Sequence, residues 1–197
     1  NWKKYGSGPV FEPKNGWELP TCFSPNDPRS CSNGGVLEPS VIYDSREKLY
    51  KMWYAAMGTK DDFLAFRIGY ATSPDGIQWR RLPDPILDRG PSGAWNDYLV
   101  SHVNVIPDPR SGYHLFYFGA KLSDYCEGCG QKGYIGYAYS TDGIRWEQNP
   151  QNPILSPGRH SWDEWTVGGP SVLTKDNELL LWFFAQKKRD SIEANLG

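Results

Sequence analysis

The chain has no apolar run near the ~20 residues needed to span a bilayer, so no membrane partner is expected. Neither sign of charge dominates: 21 Lys and Arg stand against 23 Asp and Glu, a net charge of −2. No basic cluster breaks that balance, which argues against a nucleic-acid partner. No segment of useful length carries the 3.6-residue period of an amphipathic helix. Histidine occurs three times. His114 falls within an expected strand and His160 in a loop, which leaves His102 as the histidine of interest. The sequence opens on Asn1, and a secretory leader is not expected within it.

Cysteine is limited to Cys22, Cys31, Cys126 and Cys129. An even number outside the repeated skeleton fits disulfides and an oxidising compartment, so a secreted or periplasmic location is expected. The Cys126–Cys129 spacing also suits a zinc half-site, but Cys22 and Cys31 are too far apart to complete it. Free thiols remain the third reading.

What is abundant is aromatic: nine Trp, twelve Tyr and eight Phe in 197 residues. A buried ring removes roughly 150–250 Å² from water, so many of these must hold the fold. They recur in order. Ile68–Trp79 returns as Ile135–Trp146, Pro85–Leu87 as Pro153–Leu155, and Pro39–Ile42 as Pro170–Leu173. Units of short strands repeated at this period need neighbours to cover their apolar faces.

Four strand signals appear per unit, each rich in aromatic and β-branched residues and bounded by Gly, Pro, Asp and Asn. The first covers 39–44, with counterparts at 103–108 and 170–175. The second covers 49–55, then 113–119 and 179–185. The third covers 66–72, then 133–139. The fourth covers 78–82 running on to 86–87, then 145–148 with 154–155. Asp75-Gly76 and Asp142-Gly143 read as tight turns with positive φ at glycine; they resemble the Asp-box turns of sialidases, with different spacing.

These signals predict an all-β single domain, a β-propeller of four-stranded antiparallel blades. The repeats run over roughly 36–87, 100–155 and 167–197, with 1–11 as an outer closing strand. Propellers have about four to eight blades, so three imply either a fragment of a longer propeller or completion by a second copy, a homodimer.

Residues shared by all units read as scaffold, and function is expected where one unit departs. Trp17, Trp95 and Trp162 recur and read mainly as packing. The residue two places on does not recur: Leu19, Asp97, Glu164. Insertions at 21–34 and 123–130 fall on one face and would shape a ligand mouth. Glu38, His102 and Asn104, with Gly168-Gly169, stand at the starts of the inner strands, facing the channel.

The segments Pro39–Ile42, Lys51–Tyr54, Ile68–Trp79 and Pro85–Leu87 together resemble the five-bladed propeller glycosidases of glycoside hydrolase families 43, 32, 62, 68, 117 and 130. That resemblance implies cleavage or transfer at a glycosidic bond of an oligo- or polysaccharide, with acids around the central funnel. It implies a carboxylate base or nucleophile at Glu38, a second group at Asp97 or His102, and a third at Glu164. It departs from the pattern where inner-strand aspartates would stand: Glu38 and His102 take their place in blades one and two, and Gly168-Gly169 in blade three. A histidine can serve as a proton donor when tuned near neutrality. Two working carboxylates would be about 5–5.5 Å apart for retention and roughly 6.5–9.5 Å for inversion. Tyr98, Trp165, Trp95 and Trp162, with Asn104, are the candidate sugar contacts, Trp165 foremost because it does not recur. No cofactor or catalytic metal is expected; a structural cation in the channel stays open.

Overall fold

The computed structural model describes residues 1–19, 34–60, 63–108, 110–125, 131–159, 162–187 and 194–196. Blade one is a four-stranded antiparallel sheet of β1 (Gly35–Asp44), β2 (Leu49–Lys60), β3 (Phe63–Ser73) and β4 (Arg80–Arg81). Blade two repeats it with β5 (Leu99–Pro107), β6 (Tyr113–Tyr125), β7 (Gln131–Ser140) and β8 (Glu147–Gln148). Blade three holds β9 (Thr166–Lys175), β10 (Glu178–Gln186) and β11 (Ala194–Leu196). The expected all-β propeller architecture is therefore present, as three consecutive blades.

The inner strands β1, β5 and β9 each start four residues earlier than their alternation predicted. The cause is a bulge at one shared place. Register slips between Leu37 and Ser40, between Ser101 and Asn104, and between Gly168 and Ser171. Two residues on the inner strand then face one on its partner, which hides the period of two.

Each blade is braced by the recurring tryptophan. A Cβ on Gly119 or Gly136 would lie 2.2 or 2.6 Å from the Trp95 ring, and one on Gly69 would lie 2.7 Å from Trp17. Tyr54 stacks on Trp17, and Tyr117 lies against Trp95 with centroids 5.6 Å apart. Trp162 stacks on Phe183 in the third blade. Glycine is required in the middle two strands because the indole occupies the space of a side chain.

The Asp-Gly turns have the expected form. Asp75 Oδ1 accepts the N–H groups of Ile77 and Gln78, and Asp142 Oδ1 those of Ile144 and Arg145. Gly76 and Gly143 have φ of 74° and 78°. The main core lies between blades one and two, where Trp53, Ile68 and Tyr70 meet Val100, Val105, Leu115 and Tyr117.

Residues 1–11, expected as an outer strand, carry no strand. That expectation placed the segment on the closing blade of the ring, which is not among the three blades described. Phe11 instead packs edge-on against Tyr54, 4.8 Å between centroids, with the Arg81 guanidinium over its ring.

Candidate functional site

The three bulges put three residues in the same place on successive blades. Glu38, His102 and Gly169 have φ of 53°, 45° and 57°. Only the glycine takes that conformation without strain. At the other two positions the left-handed backbone re-aims a polar side chain toward the junction between blades.

Glu38 and His102 meet there. The backbone N–H of His102 donates to Glu38 Oε2 at 2.6 Å, and His102 Nε2 lies 3.1 Å from Glu38 Oε1. The other ring nitrogen, Nδ1, lies 3.0 Å from Ser101 Oγ. Both side chains remain reachable, with 24% of Glu38 and 41% of His102 exposed. The imidazole is flanked edge-on by Phe118 and Phe184, 5.5 and 6.2 Å away. Room for these rings comes from Gly133 and Gly168, where a Cβ would strike the Phe118 ring.

Chemically, one Glu38 oxygen accepts the main-chain N–H of His102 and the other lies within reach of the imidazole Nε2. Beside it is an imidazole with both nitrogens in hydrogen-bond reach of a partner. The pair can take up, hold or hand on one proton at an accessible, partly apolar surface.

The other expected site residues fall elsewhere. Asp97 is buried, and its oxygens accept the N–H groups of Gly93 and Leu122, both at 2.7 Å. That carboxylate braces two loops. Asn104 Oδ1 accepts the N–H of Val172 at 3.1 Å, which ties blade two to blade three. Trp95 and Trp162 pack within their blades, as described above. Glu164 is exposed on the turn before β9 and has no hydrogen bond to a described residue. Trp165 is half-buried there, its backbone N–H on the Gln186 carbonyl at 3.0 Å. Tyr98 lies against the exposed Tyr125, centroids 5.2 Å apart, and burial followed by that neighbour pushes its phenol up. Cys22, Cys31, Cys126 and Cys129 all lie outside the described residues, as does His160. Among the described residues no group of three His, Cys, Asp or Glu is placed to hold a metal ion.

Two residues beside the pair went unread in the sequence. Phe118 and Phe184 occupy one register position, opposite Ser101 and Gly168; blade one has Ala55 there, opposite Leu37. The departure of blades two and three from blade one was the signal. Thr166 Oγ1, which a Cβ on Gly133 would meet together with the Phe118 ring, is buried and has no hydrogen-bond partner among the described residues.

No family model matches the chain. An uncharacterized protein of Mycobacterium tuberculosis is 30% identical over 109 residues, covering 55% of this chain and 31% of the relative. A solved glycoside hydrolase superposes with a TM-score of 0.64 at 20% identity, over 80% of this chain and 43% of its own. A thermostable family-43 glycoside hydrolase gives 0.62 at 19% identity, over 84% and 55%. An N-acetylgalactosamine deacetylase from F. plautii, solved with blood group B trisaccharide, gives 0.59 at 17% identity, over 88% and 56%. The chain thus has the fold of the propeller glycosidases, and spans about half of these structures and under a third of the curated relative. Among the described residues no helix is long and apolar enough to cross a membrane.

Proposed function

We propose that this chain carries part of a glycoside hydrolase, with its chemistry at the channel end of the junction between blades one and two. The observation that supports the reading most is the Glu38–His102 pair. Two non-glycine residues are held at positive φ on matched bulges, and strain of that kind gathers at functional sites. The glycosidase fold adds to it, and the trisaccharide bound by the deacetylase shows that one protein of this fold takes an oligosaccharide.

In this reading Glu38 is the base or nucleophile at the glycosidic carbon or its attacking water. His102 orients it from the neighbouring blade through ring and backbone together. Glu164, exposed and without a described partner, is the acid that protonates the leaving oxygen. The edges of Phe118 and Phe184 offer an apolar wall for the C–H face of a sugar. Tyr98 and Trp165 line the approach. The substrate is an oligo- or polysaccharide, met outside the cytoplasm.

A second reading, carbohydrate binding without hydrolysis, is favoured by one observation: Glu38 is the single carboxylate paired with His102, and both Asp97 oxygens are committed to loop amides. One experiment separates the two. The protein is incubated with a panel of plant, algal and microbial polysaccharides, and reducing ends and retained glycan are both measured. Release by the wild type, lost in Glu38→Gln and in Glu164→Gln, supports the hydrolase. Retention without release supports the binding module. Neither release nor retention removes both.

A further inference from the structure

Ser101 touches the Glu38–His102 pair through the second ring nitrogen. Its Oγ lies 3.0 Å from His102 Nδ1, while Glu38 Oε1 lies 3.1 Å from Nε2. A hydroxyl, an imidazole and a carboxylate thus follow one another across a single ring. The hydroxyl comes with the imidazole. Leu37, Ser101 and Gly168 are register equivalents, opposite Ala55, Phe118 and Phe184, and Glu38, His102 and Gly169 follow them. Of the three blades, the one with a ring at the bulge is the one with a hydroxyl before it.

Hydroxyl, imidazole and carboxylate in this order also make the relay of acyl-transfer enzymes. Burial decides against that use here. Ser101 is 4% exposed and its ladder partner Phe118 is 7% exposed, whereas 41% of the His102 side chain is exposed. An acyl carbon has no path to Oγ, and the hydroxyl is left to act on the ring.

The chemistry of the three groups then places the proton. A carboxylate oxygen only accepts, so the ring nitrogen beside Glu38 Oε1 has to donate. In the neutral ring the other nitrogen is then a lone pair, since one nitrogen carries the proton and the other accepts. The Phe118 ring stands edge-on beside the imidazole, 5.5 Å away. An acceptor left unpaired on that buried side is costly. Among the described residues the Ser101 hydroxyl is the one hydrogen-bond partner of Nδ1, and a hydroxyl can donate.

We propose that Ser101 is a positioning residue. Its hydroxyl donates to Nδ1, holds His102 in the tautomer with the proton on Nε2, and so turns that N–H onto Glu38. The proposal rests on the reading of Glu38 as the working carboxylate and deepens it. His102 keeps its proton for Glu38 and gives none to the substrate, so the leaving oxygen takes its proton from another group.

The test has two arms. Nitrogen-15 spectra of the ring at about pH 8, above the ordinary imidazole range, read the tautomer directly, with His102→Asn identifying the signals. A proton on Nε2 alone is expected; a proton on Nδ1, or an even mixture, overturns the proposal. Ser101→Ala should move the Nδ1 resonance to that of an unbonded nitrogen, and Ser101→Thr should return it; an unmoved resonance overturns the proposal. This arm needs no substrate, so its failure is distinct from failure of the hydrolase reading. In the second arm, on a glycan that the wild type cleaves, Ser101→Ala should lower kcat about tenfold or more with KM unchanged, and Ser101→Thr should restore it. Full turnover in Ser101→Ala overturns the positioning role. Labelling of Ser101 by a fluorophosphonate overturns it too, and would make the hydroxyl a nucleophile. If the near-UV spectrum shows that Ser101→Ala does not fold, Ser101→Gly, the residue of blade three at this register, takes its place in both arms.

Discussion

Glu38 receives the backbone N–H of His102 on one carboxylate oxygen, 2.6 Å away, and the Nε2 of the same residue on the other, at 3.1 Å. The carboxylate of one blade thus grips both the main chain and the ring of the next. Its position is set by how the blades pack, not by its own strand alone. Any ligand that shifts Glu38 must also shift the first turn of β5.

That arrangement makes Glu38→Gln a clean probe. The amide keeps one acceptor and puts an NH₂ where a donor already points. The cost is about 1–2 kcal/mol, the usual range for one spoiled hydrogen bond, or roughly 2–8 °C in Tm for a chain of this size. Turnover, in the hydrolase reading, falls 100-fold or more. A thermal melt and a reducing-end assay on one preparation measure both. Full activity would take Glu38 out of the chemistry.

The strained backbone gives a second prediction, independent of substrate. At His102 and Glu38 the φ of 45° and 53° favours glycine over any residue with a Cβ. His102→Gly should therefore be more stable than His102→Ala, by about 1 kcal/mol, and Glu38→Gly more stable than Glu38→Ala. Gly169→Ala should lose stability, since its φ is 57° and a Cβ would sit 2.8 Å from Phe184. Urea midpoints for the five variants decide it. Alanine variants equal to the glycine ones would show that the bulge is not strained.

The scaffold was legible because it repeats. Strand order, the Asp-Gly turns and the recurring tryptophans all follow from comparing one unit with the next. The bulges were not, since residues 38 and 102 are not glycine and a two-for-one insertion simply breaks the alternation. Within the site, Glu38 and His102 stood out as departures between units. The partner of Asn104 is a backbone N–H, invisible in the sequence; beside Ser40, it is a second small polar clasp between blades. The partners of Asp97 are hidden in the same way, being the amides of Gly93 and Leu122. Phe118 and Phe184 differ from Ala55 of blade one in the same way, as apolar departures between units.

Packing of the recurring tryptophan supplies the third prediction. Gly136→Ala would place a methyl 2.6 Å from both the Trp95 and Tyr117 rings, whereas Gly35→Ala meets nothing within 4 Å. Overpacking of this kind costs about 1–3 kcal/mol, so the first variant should melt several degrees lower. The second should stay within the ±0.5 kcal/mol of ordinary surface changes. Equal melting of the two would remove Trp95 as a brace.

The last prediction concerns the far end of the same junction, away from Glu38. Asp44, Lys51 and Tyr113 form a buried cluster there. Lys51 Nζ lies 3.0 Å from Asp44 Oδ2, 2.7 Å from Glu47 and 2.9 Å from the Tyr113 hydroxyl, which itself donates to Asp44 at 2.8 Å. The Tyr113 bond first, and the Lys51 bond next, hold the Asp44 carboxyl well below its ordinary range, against the opposing pull of burial. Because its folded value is depressed, Asp44 contributes stability that is present above the unfolded value of about 3.9. That contribution is lost as pH falls through the folded value. Burial pulls the Lys51 ammonium down, but its bonds to Glu47, Tyr113 and Asp44 outweigh it and the net shift is upward. Its contribution is complete below about 10.4 and fades as pH climbs through the raised value. Removing Asp44 alone would strand a buried charge, costing about 3–5 kcal/mol, whereas replacing both partners is often near neutral. The double variant Asp44→Asn/Lys51→Met is therefore the one to measure. Its urea midpoint should lie close to that of the wild type at pH 7 and fall less steeply between pH 5 and pH 2. A difference between the two proteins that stays constant over that range would mean that Asp44 does not titrate with folding, and that the cluster is held by shape alone.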